Sequence, residues 1–145
     1  MMLQMNSTNF KEIASDTKIP MRLSFLKING VPGILSLWYL NINGKIYCAT
    51  QKTAKIVSYL QKNPDCAFEI SCEKPPYKGT RGEGKAKILE DMGENVLYQL
   101  IEKYLGKKES TLSKFLKSKA GSEVAIEITP NKIFYFDYSK RMRDI

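Results

Sequence analysis

The stretch Val31–Lys55, VPGILSLWYLNINGKIYCATQKTAK, decides how the chain is read, because it sets two strands, a tight turn and the start of a cationic helix side by side. Val31–Leu40 is apolar and carries Trp38 and Tyr39 near its end. Asn43-Gly44 supplies the positive φ angles of a two-residue hairpin turn, so Lys45–Thr50 is the returning strand. Ala49, Thr50 and Thr53 then lead into a helical pattern with Lys55 in its first turn. Free N–H groups at a helix start, a hydroxyl and a lysine suit a phosphate. The same residues suit an ordinary strand-to-helix junction capped by Thr50 or Thr53, and the stretch alone leaves both readings open.

Working outward, Leu23–Ile28 is a strand joined to Val31–Leu40 by a second Asn-Gly turn at Asn29-Gly30. Pro32 has no N–H to give a ladder and predicts an edge or bulge position. Ile56, Val57 and Leu60 recur at helical spacing over Ala54–Gln61, and Asn63-Pro64 closes that helix. Cys66–Cys72 is a further strand, and the paired prolines in Glu73–Gly79 make an exposed loop. Thr80–Glu90 alternates, with Gly82, Gly84, Ala86 and Ile88 on one face and Arg81, Glu83, Lys85 and Lys87 on the other. The inner glycines leave room for another backbone or a ligand, or answer simply to barrel curvature.

Asn9-x-x-Glu12 and Asp91-x-x-Glu94 have the form of capping boxes, which predicts a brief helix at Asn9–Asp16 and the start of a longer one. The longer helix has Val96, Leu97, Leu100, Ile101, Tyr104 and Leu105 on one face and stops at Gly106. Leu112, Phe115 and Leu116 mark a shorter helix before Gly121. Val124–Thr129 and Lys132–Tyr138 read as two strands around a Pro130-Asn131 turn. The expectation is mainly β with flanking helices: one domain over residues 1–145, a six- to seven-stranded antiparallel barrel, with residues 1–20 as a helical lead-in.

The chain contains no histidine, which removes Ser-His-Asp and Cys-His nucleophilic sites and every His-ligated metal. Cys48, Cys66 and Cys72 are odd in number and lack a CxxC spacing, so they read as reduced thiols rather than a disulfide framework or zinc site. Redox or group-transfer chemistry would then fall to an organic cofactor. No apolar run approaches the roughly 20 residues that span a membrane, and the start does not have the pattern of a signal peptide. A cytoplasmic protein without a membrane partner is expected. The net charge of +8 favours an anionic partner, a phosphorylated cofactor or a nucleic acid. The interleaved aromatic and basic residues of a single-strand-binding face are missing, which argues against nucleic acid. The lysines of Lys103–Lys119 and the basic group Lys140–Arg143 read as solvated surface.

In order and separation, the apolar strand ending in Trp38-Tyr39, the IYCATQKTAK segment, Asn63-Pro64 and the PPYKGTRGEGKAKI loop and strand resemble the pyridoxamine 5′-phosphate oxidase-like, FMN-binding split-barrel family. The resemblance spans Leu23 to Tyr138 and implies an obligate homodimer with two sites at its interface. It also implies a flavin ring along the backbone of Leu35, Ser36 and Leu37 with Trp38 close by, and Cys48, Ala49 and Thr50 bordering the cofactor chain. Thr53 and Lys55 would hold the phosphate, and Tyr77, Lys78, Gly79 and Arg81 would close the site from the other subunit. Trp38 and Tyr77 read equally well as core or interface aromatics.

Where true pyridoxamine phosphate oxidases carry phosphate-binding arginines, this chain has Gly33 and Ala54, so vitamin-B6 oxidase activity is not implied. The match is closer to the small flavin or deazaflavin reductases, and the absence of histidine argues against the haem-degrading branch. The expected function is an FMN-dependent oxidoreductase passing hydride to or from a small-molecule substrate. The alternatives are a reductase using the deazaflavin coenzyme F420 and a flavin binder without catalysis; a basic nucleic-acid-binding barrel ranks behind them.

Overall fold

Alternating apolar strands punctuated by Asn-Gly turns fold here into a sheet whose every pairing is antiparallel. The computed structural model describes the backbone of Met2–Gln4 and residues 18–142. The strands are β1 (Met2–Gln4), β2 (Met21–Leu26), β3 (Pro32–Leu37), β4 (Leu40–Ile42), β5 (Lys45–Gln51), β6 (Asp65–Ser71), β7 (Lys78–Leu89) and β8 (Glu123–Asp137). The helices are α1 (Lys55–Lys62), α2 (Gly93–Leu105) and α3 (Thr111–Ser118). Strand order is β3-β2-β6-β7-β8-β5-β4, with β1 added to β8. The helix expected at Asn9–Asp16 lies outside the described residues, and within the lead-in Met2–Gln4 is a strand.

The strand expected over Val31–Leu40 is two strands. β3 and β4 stand at opposite ends of the strand order, yet only Trp38 and Tyr39 separate them in the chain. Three Cα steps from Leu37 to Leu40 reach at most roughly 11 Å, so the two sheet edges converge there without sharing a ladder. The sheet is therefore a barrel split at this step. Pro32 starts the edge strand β3, as its missing N–H requires. Asn43 and Gly44, at φ 53° and 81°, make the two-residue turn between β4 and β5.

Conversely, the two strands expected around Pro130-Asn131 are one. β8 runs straight through, with Pro130 opposite Gly84, Lys132 opposite Glu83 and Asn131 as the extra residue of a bulge. Pairing with β5 ends at Ile128 and pairing with β1 begins at Phe134, so the proline falls in the gap between those ladders.

The inner face of the barrel is packed with Met21, Leu23, Ile46, Phe68, Ile70, Ile126 and Ile128, and α1 adds Ile56 and Leu60. Phe25 of β2 stacks on Tyr59 of α1 with ring centroids 5.8 Å apart. α2 lays Val96, Leu97, Leu100 and Ile101 over the outer side of β5 and β8, around Ala49 and Ala125. The outer side of β2, β3, β6 and β7 carries no helix of the described residues. α2 starts without the expected capping box, because a 3₁₀ turn over Glu90–Met92 takes the place of the cap and Met92 is the N-cap with no side-chain bond. No helix among the described residues is long and apolar enough to cross a membrane.

Candidate cofactor site

At the junction from β5 to α1, the N-cap is Ala54, and neither Thr50 nor Thr53 caps the helix. The ordinary capped junction is thus not what forms. The first amides of a helix have no intrahelical acceptor, and although Val57 N–H turns back to the Ala54 carbonyl at 3.1 Å, those of Lys55 and Ile56 find no acceptor among the described residues. No acidic residue stands in the first turn, and the exposed Lys55 ammonium forms no ion pair among the described residues. Thr53 is exposed beside it. These groups meet the requirements of an anion: open N–H donors, a positive dipole end and a free cation.

β3 supplies the second part. Among the described residues it pairs only with β2, so its backbone groups directed away from β2 have no strand partner there. Leu35 and Ser36 are exposed, while Leu37 turns into the core cluster that also holds Cys48, with Ala54 packed against it. The Cys48 side chain is fully buried, and burial pushes its thiol far above the usual range, so it offers the site its backbone and not its sulfur. Trp38 and Ala49 pack together on the clusters under α2, and Thr50 sits opposite Val124 in the ladder. Leu37 and Cys48 thus share the barrel core with Ala54 of the α1 start, while Trp38 and Ala49 share the clusters under α2.

Trp38 is already stacked: its ring lies 4.9 Å from that of Tyr104, at 5° to parallel. Tyr39 N–H donates to the Tyr104 hydroxyl at 3.3 Å, and Lys103 Nζ donates to the Tyr39 carbonyl at 2.7 Å while lying 3.8 Å from the Tyr39 ring centre. The end of α2 thus fastens the step between β3 and β4. This corrects the reading of Lys103 as solvated surface. A helix ending beside an aromatic pair could have signalled it, but only the fold brings Tyr39 to Lys103.

Burial lowers the Lys103 ammonium from 10.5 to about 8. Between those values the unfolded chain binds more protons than the folded one, so the contribution of Lys103 to stability rises with pH over that interval. Below about 8 the folded chain bears the full cost of the half-buried charge. Wild-type protein should therefore gain thermal stability relative to Lys103→Met as pH is raised from 7 towards 10. A Tm difference between the two that does not change with pH would show that the charge is not desolvated.

The β7 segment lies elsewhere. Tyr77 and Lys78 are exposed, and Gly79 is buried against the backbone of Ile70 and Ser71. Arg81 donates to the Tyr138 hydroxyl at 3.0 Å and lies 4.8 Å from the Phe136 ring centre, while its Nε is buried without a partner among the described residues. The register sets Ser36, Arg22, Glu69, Arg81 and Phe134 in one cross-strand row, so they share the uncovered outer face. A groove of about 430 Å³ runs along that row. Three strand spacings put Ser36 and Arg81 roughly 14 Å apart, so one chain does not bring Arg81 to the edge of β3 at Ser36. Arg22 and Glu69 belong to this row but were not singled out from sequence, since nothing local reveals a partner three strands away.

No protein-family model and no curated protein matches the sequence. Solved structures do match the fold. A conserved hypothetical protein of Mycobacterium tuberculosis superposes with TM-score 0.80 at 19% identity, covering 96% of this chain and 89% of that one. An F420 reductase does so with TM-score 0.72 at 14% identity, over 86% and 94% of the two chains. A Listeria innocua protein given as a candidate pyridoxamine 5′-phosphate oxidase does so with TM-score 0.67 at 16% identity, over 87% and 94%. With its antiparallel sheet split between β3 and β4, this chain has the fold of the pyridoxamine 5′-phosphate oxidase-like split-barrel proteins.

Proposed function

We propose that the chain is a flavin-dependent oxidoreductase that holds FMN and works as a homodimer on a small-molecule substrate. The observation that carries this reading is the open start of α1, with its uncapped amides and Lys55 without an ion pair among the described residues, in a fold that also leaves one edge of β3 without a strand partner. Lys55 would bind the phosphate as its main cation and Thr53 as a neutral donor. The backbone of Leu35, Ser36 and Leu37 would orient the ring through the N–H and C=O groups that β2 leaves free. Bound FMN supplies the two-electron chemistry, accepting or giving a hydride. Trp38, held by Tyr104, would form a rigid wall that keeps water from one side. Tyr77 and the β7 residues Lys78, Gly79 and Arg81 would reach the site from a second copy, since within one chain Arg81 stands three strands from Ser36. Free thiols at Cys48, Cys66 and Cys72 fit a reducing compartment, and we assign the protein to the cytoplasm.

F420 in place of FMN is favoured by one feature: the positions of the two phosphate arginines are occupied by Gly33 and Ala54, and an F420 reductase shares the fold. Titration by fluorescence quenching with each cofactor decides between them. Lys55→Ala should weaken binding of the preferred one by about 1.5–3 kcal/mol, roughly ten- to 150-fold, with the thermal melt unchanged. An unchanged dissociation constant would remove Lys55 from the site. Light scattering should give about twice the 16.6 kDa chain mass. Turnover of a reduced nicotinamide or reduced deazaflavin separates an enzyme from a binder.

A further inference from the structure

The sequence marks α3 by Leu112, Phe115 and Leu116, and of these three the structure packs Leu116 against the body of the protein. Ser110 and Ser113 cap the helix reciprocally, with Ser113 N–H to Ser110 Oγ at 3.1 Å and Ser110 N–H to Ser113 Oγ at 2.9 Å. Ser113 is buried, and its hydroxyl donates to the Ser110 carbonyl at 3.0 Å. The cap therefore points a serine, with the partly buried Leu116, at the body of the protein. Leu112 and Phe115, one turn apart, are left 48% and 55% exposed. Folding gives no reason for two large apolar side chains there.

The charge around them is one-sided. In sequence Lys107, Lys108, Lys114, Lys117 and Lys119 flank the pair, against Glu109 as the one acid between Lys107 and Lys119, and Lys117 turns to Tyr98, its Nζ 5.9 Å from that ring centre. Glu102 engages Lys107 at 3.7 Å and Glu109 engages Lys117 at 3.4 Å, which leaves Lys108, Lys114 and Lys119 without a carboxylate partner among the described residues. Lys119 Nζ lies 5.0 Å from the Phe115 ring centre, so cation and aromatic share one spot.

We propose that α3 docks the protein on an anionic lipid surface, with Phe115 and Leu112 entering the headgroup boundary and the lysines facing lipid phosphates and carboxylates. Lysines near such a surface are drawn to it, and apolar side chains between them add area buried from water. A second copy is disfavoured, because this face would set Lys108, Lys114 and Lys119 against the same lysines of the copy. A nucleic acid would satisfy the charge but gives no use for Leu112. The lack of a spanning run bears only on crossing a membrane, and peripheral docking does not need one. The inference stands apart from the flavin reading, since it uses none of the same residues.

The test is co-sedimentation of the full chain with phosphatidylcholine vesicles, with and without a minority of phosphatidylserine. Binding is expected to the anionic vesicles alone. It should fall about tenfold or more in Leu112→Ser/Phe115→Ser, and about fivefold for each of Lys114→Gln and Lys119→Gln. Thermal melts and FMN titration of the same variants should match wild type. No binding to anionic vesicles would overturn the proposal. So would vesicle binding that the serine variant leaves unchanged and that a DNA duplex competes away, which would mark a plain polyanion site. Loss of a dimer on Leu112→Ser/Phe115→Ser would equally overturn it and make this face a contact between copies.

Discussion

Trp38→Ala should lower the unfolding free energy of the cofactor-free protein by about 3 kcal/mol, the lower end of the range for truncating a large buried aromatic, because Trp38 is only partly buried. The cost comes from two losses. The ring leaves the two clusters that join β4, β5 and α2, and Tyr104 loses its stacking partner at 4.9 Å. Tyr104 also accepts the Tyr39 N–H and donates to the Ile19 carbonyl, so its displacement loosens the step that splits the barrel. Trp38→Phe keeps an aromatic face on Tyr104 and should recover most of the loss. Urea denaturation without and with FMN checks this. If Trp38→Ala left the free protein as stable as wild type and weakened only FMN binding, Trp38 would be a cofactor contact and not the anchor described here.

Gly82→Val should cost about 3 kcal/mol or more, beyond ordinary overpacking, because one obstacle cannot move aside. Gly82 stands between Phe68 of β6 and Ile133 of β8, facing the core. A Cβ there would collide with the Lys132 carbonyl and lie 2.6 Å from the Phe68 ring edge. The ring can turn, but the carbonyl belongs to the backbone next to the Asn131 bulge. The control is Gly82→Ala alone and in a Phe68→Leu background. Removing the ring should restore little, since the carbonyl stays in place. Full recovery in the double variant would put the block on the ring and clear the backbone.

Between the two readings of the Thr80–Glu90 glycines, close approach of another backbone is therefore what Gly82 answers to, and that backbone belongs to the same chain. The identity of the neighbour could not be read from alternation alone, because it depends on how β8 bends past Pro130. Similarly, a proline followed by asparagine announces a turn wherever a ladder would need the missing N–H. Here the position lies between the β5 and β1 ladders, so the strand continues. At Ser110 the helix start rests on two serines and no capping-box acid, and Ser113 is the residue that it buries.

What the sequence by itself determined is what local chemistry decides. Asn43-Gly44 adopts its positive φ angles because so few other residues do, α1 runs where Ile56, Val57 and Leu60 recur, Gly106 ends α2, and the absence of histidine closed off whole classes of catalysis. Only the tertiary structure decided where the barrel splits, that Lys103 is drawn off the surface onto Tyr39, that the α1 start is left uncapped, and that Arg81, Glu69, Arg22 and Ser36 stand in one row. Each of these depends on which strands become neighbours. Strand neighbours are chosen by burial summed over the whole sheet, and no window of sequence holds that sum.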